Sequence, residues 1–318
     1  MKPQVVVIVG PTASGKTRLG IEIAKKIDGE IISSDSMQIY KEMDIGTAKV
    51  TKEEAQGIKH YLIDIISPDK RYTVSDFKKD AENAIREIME KGKTPIIVGG
   101  TGLYVDSLIY GIEYQDMTFD EQYRNELMEI AETENGTVEL WNRANSIDPE
   151  AMKKISVNDK KRIIRVLEIY KATGKTKTEQ EILSRKNEPK YDFKVFGLDM
   201  DRQKLYERIN KRVDNMIEQG LENEVKFLIS KYKEFPTAFQ GLGYKEVVQY
   251  FNAELTREEM IEKIKQESRR YAKRQLTWFR KNKQTIWLKA DNHIHENINL
   301  ILEELKWKKN KLNLIKLR

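Results

Sequence analysis

The chain has 318 residues, enough for about two domains and a sizeable core, with no cysteine and three histidines. A disulfide framework and a cysteine-based zinc site are excluded, and His60, His293 and His295 are too scattered to form a metal cluster. The net charge of +6 is unevenly spread: residues 256–318 hold 17 Lys/Arg against 8 Asp/Glu, a local +9. The N-terminal residues read directly as a core strand. No secretory leader pattern and no apolar run long enough for a bilayer appears, so the expectation is a cytoplasmic protein.

In chain order, Val5-Val6-Val7-Ile8-Val9 is a β-branched run of the kind that forms a buried parallel strand. It leads straight into Gly10-Pro11-Thr12-Ala13-Ser14-Gly15-Lys16-Thr17, a complete G-x-x-x-x-G-K-[ST] phosphate-binding loop. An amphipathic helix pattern then begins at Lys16. This context predicts successive backbone N–H groups wrapped around a phosphate at a helix N-terminus, with Lys16 as a point charge and the Thr17 hydroxyl for Mg²⁺.

Further strands are expected at 30–34, 61–65, 94–98, 193–198 and 285–288, with helices between them, including 75–90 after the polar cap at Thr73. That alternation predicts an α/β fold of the P-loop NTPase-like, doubly wound parallel-sheet type. Between 112 and 190 only helical periodicity is seen, over 120–133, 138–145, 158–172 and 178–186. The expected organisation is a core formed by 1–111 and 191–318, a helical insertion domain at 112–190, and a basic helical C-terminal region. Helices are read at 202–218 and 221–231, a long one runs through 268–280, and residues 306–318 read as a terminal helix.

Ligands of open α/β sheets lie outside the carboxyl ends of the strands. Three polar clusters fall there: the phosphate loop, Ser33-Ser34-Asp35-Ser36-Met37-Gln38-Ile39-Tyr40, and Gly99-Gly100-Thr101-Gly102-Leu103-Tyr104. Asp35 is the carboxylate best placed to act as a base opposite the phosphate loop, although a turn-capping role would use the same residue type. Asp64 ends an apolar run, where phosphate-loop enzymes carry a Mg²⁺-orienting carboxylate. A guanine-reading Asn-Lys-x-Asp string is missing; the nearest, Asn282-Lys283-Gln284-Thr285, ends in Thr. The stretch 269–283 carries Arg269, Arg270, Lys273, Arg274, Arg280, Lys281 and Lys283 without one acid, interleaved with Tyr271, Trp278 and Phe279. Basic and aromatic residues so mixed are typical of nucleic-acid surfaces.

Taken together these strings resemble the ordered motifs of the tRNA dimethylallyltransferase (isopentenyl-tRNA transferase) family, bacterial type. The resemblance is carried by residues 10–17, Asp35 to Tyr40, Ile45-Gly46-Thr47-Ala48-Lys49, His60-Tyr61-Leu62-Ile63-Asp64 and Gly99 to Tyr104. It continues through Asn158-Asp159-Lys160-Lys161-Arg162 with Arg165, Gly243-Tyr244-Lys245-Glu246, and Ala272-Lys273-Arg274-Gln275-Leu276-Thr277-Trp278-Phe279-Arg280. Tyr61 departs from the pattern, standing where a second histidine is common. The zinc finger of eukaryotic members cannot form without cysteine.

The resemblance implies transfer of a dimethylallyl group from dimethylallyl diphosphate to N6 of the adenosine at position 37, just 3′ of the anticodon of tRNA. Gly10, Pro11, Thr12, Ala13, Ser14, Gly15, Lys16 and Thr17 would hold the diphosphate, Thr17 with Mg²⁺, and Asp35 would take the proton. An arginine on the 202–218 helix would meet the diphosphate, with Arg208 and Arg212 as candidates. Contacts to tRNA are implied for Asp35, Ser36, Met37, Gln38, Thr101, Arg124, Asp159, Lys160, Lys161, Arg162 and Ile163. Lys273, Arg274, Trp278 and Arg280 would complete the wall around the RNA, in a monomeric enzyme without membrane attachment. Two rivals make other predictions: a small-molecule P-loop kinase would turn over ATP without RNA, and a nucleotide-switched RNA-binding protein would form no product.

Overall fold

The computed structural model describes residues 2–114, 120–185, 188–291 and 294–305. The helix expected at 306–318, and His293, lie outside the described residues. In chain order the elements are β1 (Gln4–Val9), α1 (Lys16–Ile27), β2 (Gly29–Ser33), α2 (Lys52–Ala55), β3 (His60–Tyr61), α3 (Val74–Glu90), β4 (Thr94–Gly99) and α4 (Gly102–Ile109). There follow α5 (Glu121–Glu132), α6 (Gly136–Ile147), α7 (Pro149–Met152), α8 (Lys160–Thr173) and α9 (Lys177–Ser184). The chain continues with β5 (Asp192–Asp199), α10 (Arg202–Glu218), α11 (Leu221–Lys231), α12 (Tyr244–Phe251), α13 (Arg257–Phe279), β6 (Ile286–Lys289) and α14 (Ile294–Glu304). Among the described residues no helix is long and apolar enough to cross a membrane.

Two compact units result: residues 1–109 with 190–318, and residues 110–189. The first is built on a six-stranded sheet of order β3-β2-β4-β1-β5-β6, every pair parallel. The fold is P-loop NTPase-like. Strand periodicity explains its layering: Val5, Val7 and Val9 point to one face, Val6 and Ile8 to the other, and all five are fully buried. The odd face packs against Phe77, Ile85 and Ile88 of α3 and Leu108 of α4. The even face packs against Leu19, Ile23 and Ile27 of α1 and Ile298 and Ile301 of α14. Gly20 lets α1 approach β4; a Cβ there would meet Val98 Cγ2 at 2.7 Å. A further apolar core joins Ile39, Tyr40 and Met43 to α10–α13 through Val213, Val225, Tyr244, Val247 and Ile264.

The strand expected at 61–65 stops after two residues. Leu62 and Asp64 take positive φ (60° and 56°), and Asp64 N–H turns back to donate to Gln38 O at 3.1 Å. The long basic helix starts further upstream than its apolar pattern announces, at a Thr256/Glu259 capping box. Residues 110–189 form a helical unit of their own, with Leu127, Leu140, Met152, Ile163, Ile164 and Leu167 at its centre.

Candidate active site

Because β2, β4 and β1 are neighbours in the sheet, the loops leaving their carboxyl ends are neighbours too. The phosphate loop leaves β1 and ends at Gly15, whose φ of +91° favours glycine and whose position caps α1 without a side-chain bond. The free N–H groups of the first turn are thereby left for an anion. Ser14 Oγ is buried and has no hydrogen-bond partner in the protein. Lys16 Nζ donates to Pro11 O at 2.7 Å. Desolvation, reinforced by the Arg212 charge and opposed by Asp35, lowers the Lys16 ammonium to about 8. Thr17 stands exposed on the same turn.

Asp35 follows β2, with its Oδ1 accepting from Met37 N–H at 2.9 Å. That bond is an Asx turn and orients the carboxylate; the residue also lines the cavity described below. Thr101, in the loop after β4, accepts from Ser36 N–H at 3.0 Å, while Thr101 N–H donates to Ser34 O at 3.1 Å. Gln38 is engaged within the protein, accepting from Ser33 Oγ at 3.0 Å and donating to Thr47 O at 3.3 Å. Asp64 pairs with Lys49, which also holds Asp44 at 2.7 Å, and it is not among the residues lining the cavity described below.

Opposite these loops lies a cavity of about 290 Å³. Its lining combines polar side chains, among them Thr12, Asp35, Arg212, Tyr271 and Arg274, with apolar ones, among them Met37, Val213, Met216, Leu242 and Ile264. Arg212 and Arg208 separate here. Arg212 lines the cavity and donates to Thr47 O at 3.4 Å, and burial lowers its guanidinium pKa against the favourable charge of Asp35. Arg208, one turn earlier, is exposed and outside the cavity lining. Burial and the Asp35 charge push the Tyr271 phenol up to about 12, with hydrogen bonds from Thr101 and Gln275 opposing.

Two positions were silent in the sequence reading. Glu224 on α11 grips the 44–46 loop, its carboxylate accepting from Asp44 N–H (2.8 Å), Ile45 N–H (2.6 Å), Gly46 N–H (3.1 Å) and the Tyr244 hydroxyl (2.7 Å). Gly46 has to be glycine, since a Cβ would sit 2.6 Å from the Tyr244 ring. This clasp fixes Thr47, and with it the carbonyl facing Arg212. The second is Gln275, which lies inside the Ala272–Arg280 motif with nothing in the sequence to mark a role. It bonds to Thr12 and to Gly100.

The basic stretch is less bare than its sequence. Arg269 meets Glu262 and Asn210, Arg270 meets Glu267, and Arg280 meets Asp199 at 3.0 Å. Lys273 and Arg274 are exposed, and Trp278 is 37% exposed, with its Nε1 donating to Asp106 at 2.9 Å. In the 110–189 unit, Asp159 caps α8 and pairs with Arg162 at 3.2 Å, Lys160 pairs with Glu132, and Lys161 is exposed. Arg124 bonds the buried Glu168 at 3.1 Å. Ile163 is fully buried in that unit's core, so its side chain is not available to RNA.

A parallel sheet with a phosphate loop at the carboxyl end of its central strand, an acid and an arginine facing one cavity, defines a P-loop protein that works on a phosphorylated substrate. The model of the family described as IPP transferase matches residues 38–282. The tRNA dimethylallyltransferase of Acetivibrio thermocellus is 52% identical over 288 residues, 90% of this chain and 92% of that protein. That of Caldanaerobacter subterraneus is 48% identical, over 94% and 97% of the two chains. The crystal structure of the full-length tRNA isopentenylpyrophosphate transferase from Bacillus halodurans superposes with a TM-score of 0.72 at 41% identity, covering 100% of both chains. A eukaryotic dimethylallyltransferase captured acting on tRNA gives 0.74 at 32% identity, covering 91% of this chain and 74% of its own. The chain belongs to the IPP transferase family.

Proposed function

We propose that this protein transfers a dimethylallyl group from dimethylallyl diphosphate to N6 of the adenosine at position 37 of tRNA. The observation that carries the reading is the shared cavity, which Asp35 and Arg212 line together with Thr12 of the phosphate loop and with apolar side chains. The relatives' names give tRNA as the acceptor and a dimethylallyl group as what is transferred. A small-molecule kinase is not favoured, because relatives near 50% identity over most of the chain are named as transferases acting on tRNA.

An adenine stacked in the anticodon loop is out of reach, so it is flipped into the cavity before reaction. N6 attacks the allylic carbon; the new C–N bond forms as the C–O bond to the diphosphate breaks. The amine proton passes to an Asp35 carboxylate oxygen. Negative charge gathers on the departing diphosphate, where the α1 N-terminus, Ser14 Oγ, Lys16 and Arg212 stabilise it. The apolar side chains of the lining take the prenyl group and keep water away from it.

No group of three or more His, Cys, Asp or Glu suited to an ion is found among the described residues. The exposed Thr17 hydroxyl is a hard oxygen donor beside the phosphate loop, which fits Mg²⁺, an ion usually held by one or two protein groups together with phosphate oxygens. When bound, it supplies Lewis-acid stabilisation of the leaving diphosphate. Ser36, Met37 and Thr101 are assigned to the base, and Lys273, Arg274, Trp278 and Arg280 to the RNA backbone or loop. In the 110–189 unit Arg124, Asp159, Lys160, Lys161 and Arg162 are assigned to tRNA. We take the enzyme to act as a monomer in the cytoplasm.

Incubation with unmodified tRNA and dimethylallyl diphosphate, followed by digestion to nucleosides, tests the reading. An N6-prenylated adenosine is expected, with no turnover of ATP alone. Robust ATP hydrolysis without prenyl transfer would refute it.

A further inference from the structure

We propose that Gln275 is a positioning residue, whose side-chain amide clamps the phosphate loop to the Gly100 turn and holds residues 10–17 in the shape that accepts a diphosphate. It rests on the diphosphate reading above. Gln275 sits on α13, 5% exposed, and reaches partners remote in sequence on both sides. Its Oε1 accepts from Thr12 N–H at 2.8 Å, and its Nε2 donates to Gly100 O at 2.9 Å. The two bonds fix the amide's orientation, since a flip would set oxygen against carbonyl and NH₂ against N–H.

The surroundings leave no slack. A Cβ on Gly100 would lie 2.1 Å from Gln275 Nε2, so only glycine admits the amide at this depth. Three residues along α13, Trp278 covers Gly102, where a Cβ would come within 2.3 Å of Trp278 Cδ1, and its Nε1 bonds Asp106. The helix is thereby pinned at the height that sets Gln275 between the loops. The phosphate loop needs such a clamp, because Ala13 is held at φ 62°, a left-handed conformation that an alanine leaves unless its neighbours fix it. The clamp also assigns the loop's donors. Thr12 N–H is spent on Gln275, so the anion is met by the N–H groups beyond it, by Ser14 Oγ and by Lys16.

The test uses the full chain and inorganic pyrophosphate, titrated calorimetrically without tRNA. Gln275→Met keeps length and burial but removes the bonds to Thr12 and Gly100, together with the one to the Tyr271 phenol, which Gly100→Ala does not address directly. It should weaken pyrophosphate binding by about tenfold or more, the effect of stranding a buried donor and acceptor. Binding to tRNA should change by less than about twofold, and prenyl transfer should fall together with pyrophosphate affinity. Gly100→Ala breaks the same bridge from the other side with Gln275 present, and should give the same selective loss; the double variant should be no worse than either single one. Should Gln275→Met fail to fold, Gly100→Ala carries the test. Pyrophosphate affinity within about twofold of wild type in a folded variant overturns the proposal, as do losses that multiply in the double variant. A wild type that binds pyrophosphate but prenylates no tRNA sinks the proposed function and leaves the clamp standing.

Discussion

Asp35→Asn is the most discriminating substitution in the site. Asparagine keeps the size and the oxygen that accepts from Met37 N–H, so the turn survives, and what is lost is the capacity to accept a proton. General-base catalysis is worth about 10²–10⁴-fold, or about 2.7–5.5 kcal/mol of barrier at 1.36 kcal/mol per decade. The substitution has a second effect that must be separated from this one. Asp35 favours the charged forms of Lys16 and Arg212, so without it Lys16 falls below about 8 and diphosphate binding weakens. Single-turnover transfer with saturating diphosphate, at a pH well below 8, removes that contribution. The expected result is a rate at least about 10² lower, with tRNA affinity and melting temperature unchanged. A folded Asn variant with a near-normal rate under these conditions would reduce Asp35 to a turn residue.

Lys16 predicts a pH profile. In the free enzyme it loses its proton as pH rises through about 8, and a bound diphosphate favours the charged form. Thus kcat/KM for the prenyl diphosphate should fall above about pH 8, whereas kcat, which reports the occupied enzyme, should hold to higher pH; a flat kcat/KM from pH 7 to 10 would refute this. For stability the sign is the opposite. Between about 8 and the ordinary 10.5 the unfolded chain binds the extra proton, so this residue makes the fold more stable as pH rises through that window. The two arginines of α10 should also separate: Arg212→Gln should lower single-turnover transfer by about 10² or more, the usual effect of removing one preorganised charge donor. Arg208→Gln should stay within about twofold of wild type, as surface substitutions do, and equal losses in the two variants would contradict the placement of Arg212.

What the sequence made legible was local in origin. The phosphate loop, β1 and α1 are consecutive, and their signals, a β-branched run, two fixed glycines and a helical stripe, act within twenty residues. Strand order could be anticipated only as parallel. That β4 lies between β1 and β2, bringing Thr101 to Ser36, comes from pairing across 65 residues. Arg208 and Arg212 were inseparable because they stand one helical turn apart, and only the packing of α10 decides which one meets the cavity. Gln275 and Glu224 carried no signal of their own. Their partners are 263 and about 180 residues away, and a glutamine or glutamate on a charged helix reads as solvated surface. The acid-free run 269–283 hides its partners in the same way, since Glu262, Glu267 and Asp199 reach Arg269, Arg270 and Arg280 from outside the window.

A phosphate loop is usually associated with breaking a P–O bond of a nucleotide, yet nothing in its physics requires that bond to be the one that breaks. The helix N-terminus, Lys16 and Arg212 stabilise charge on phosphate oxygens, and they do so equally when the electrons arrive from a C–O bond. What selects the reaction is the rest of the cavity. A hydrolase needs a water held in line with the terminal phosphate. Here Met37, Val213, Met216, Leu242 and Ile264 contribute apolar side chains to the same lining as Thr12 and Asp35, and those side chains offer water no partners. On the proposed reading they do two things at once: they accommodate the prenyl group, and they leave the flipped adenine as the only nucleophile beside the allylic carbon. The carboxylate that completes the site then has to line the same space as the apolar side chains and the arginine, and Asp35, fixed by Met37 N–H and sharing the lining with Arg212, is the acidic side chain of that cavity.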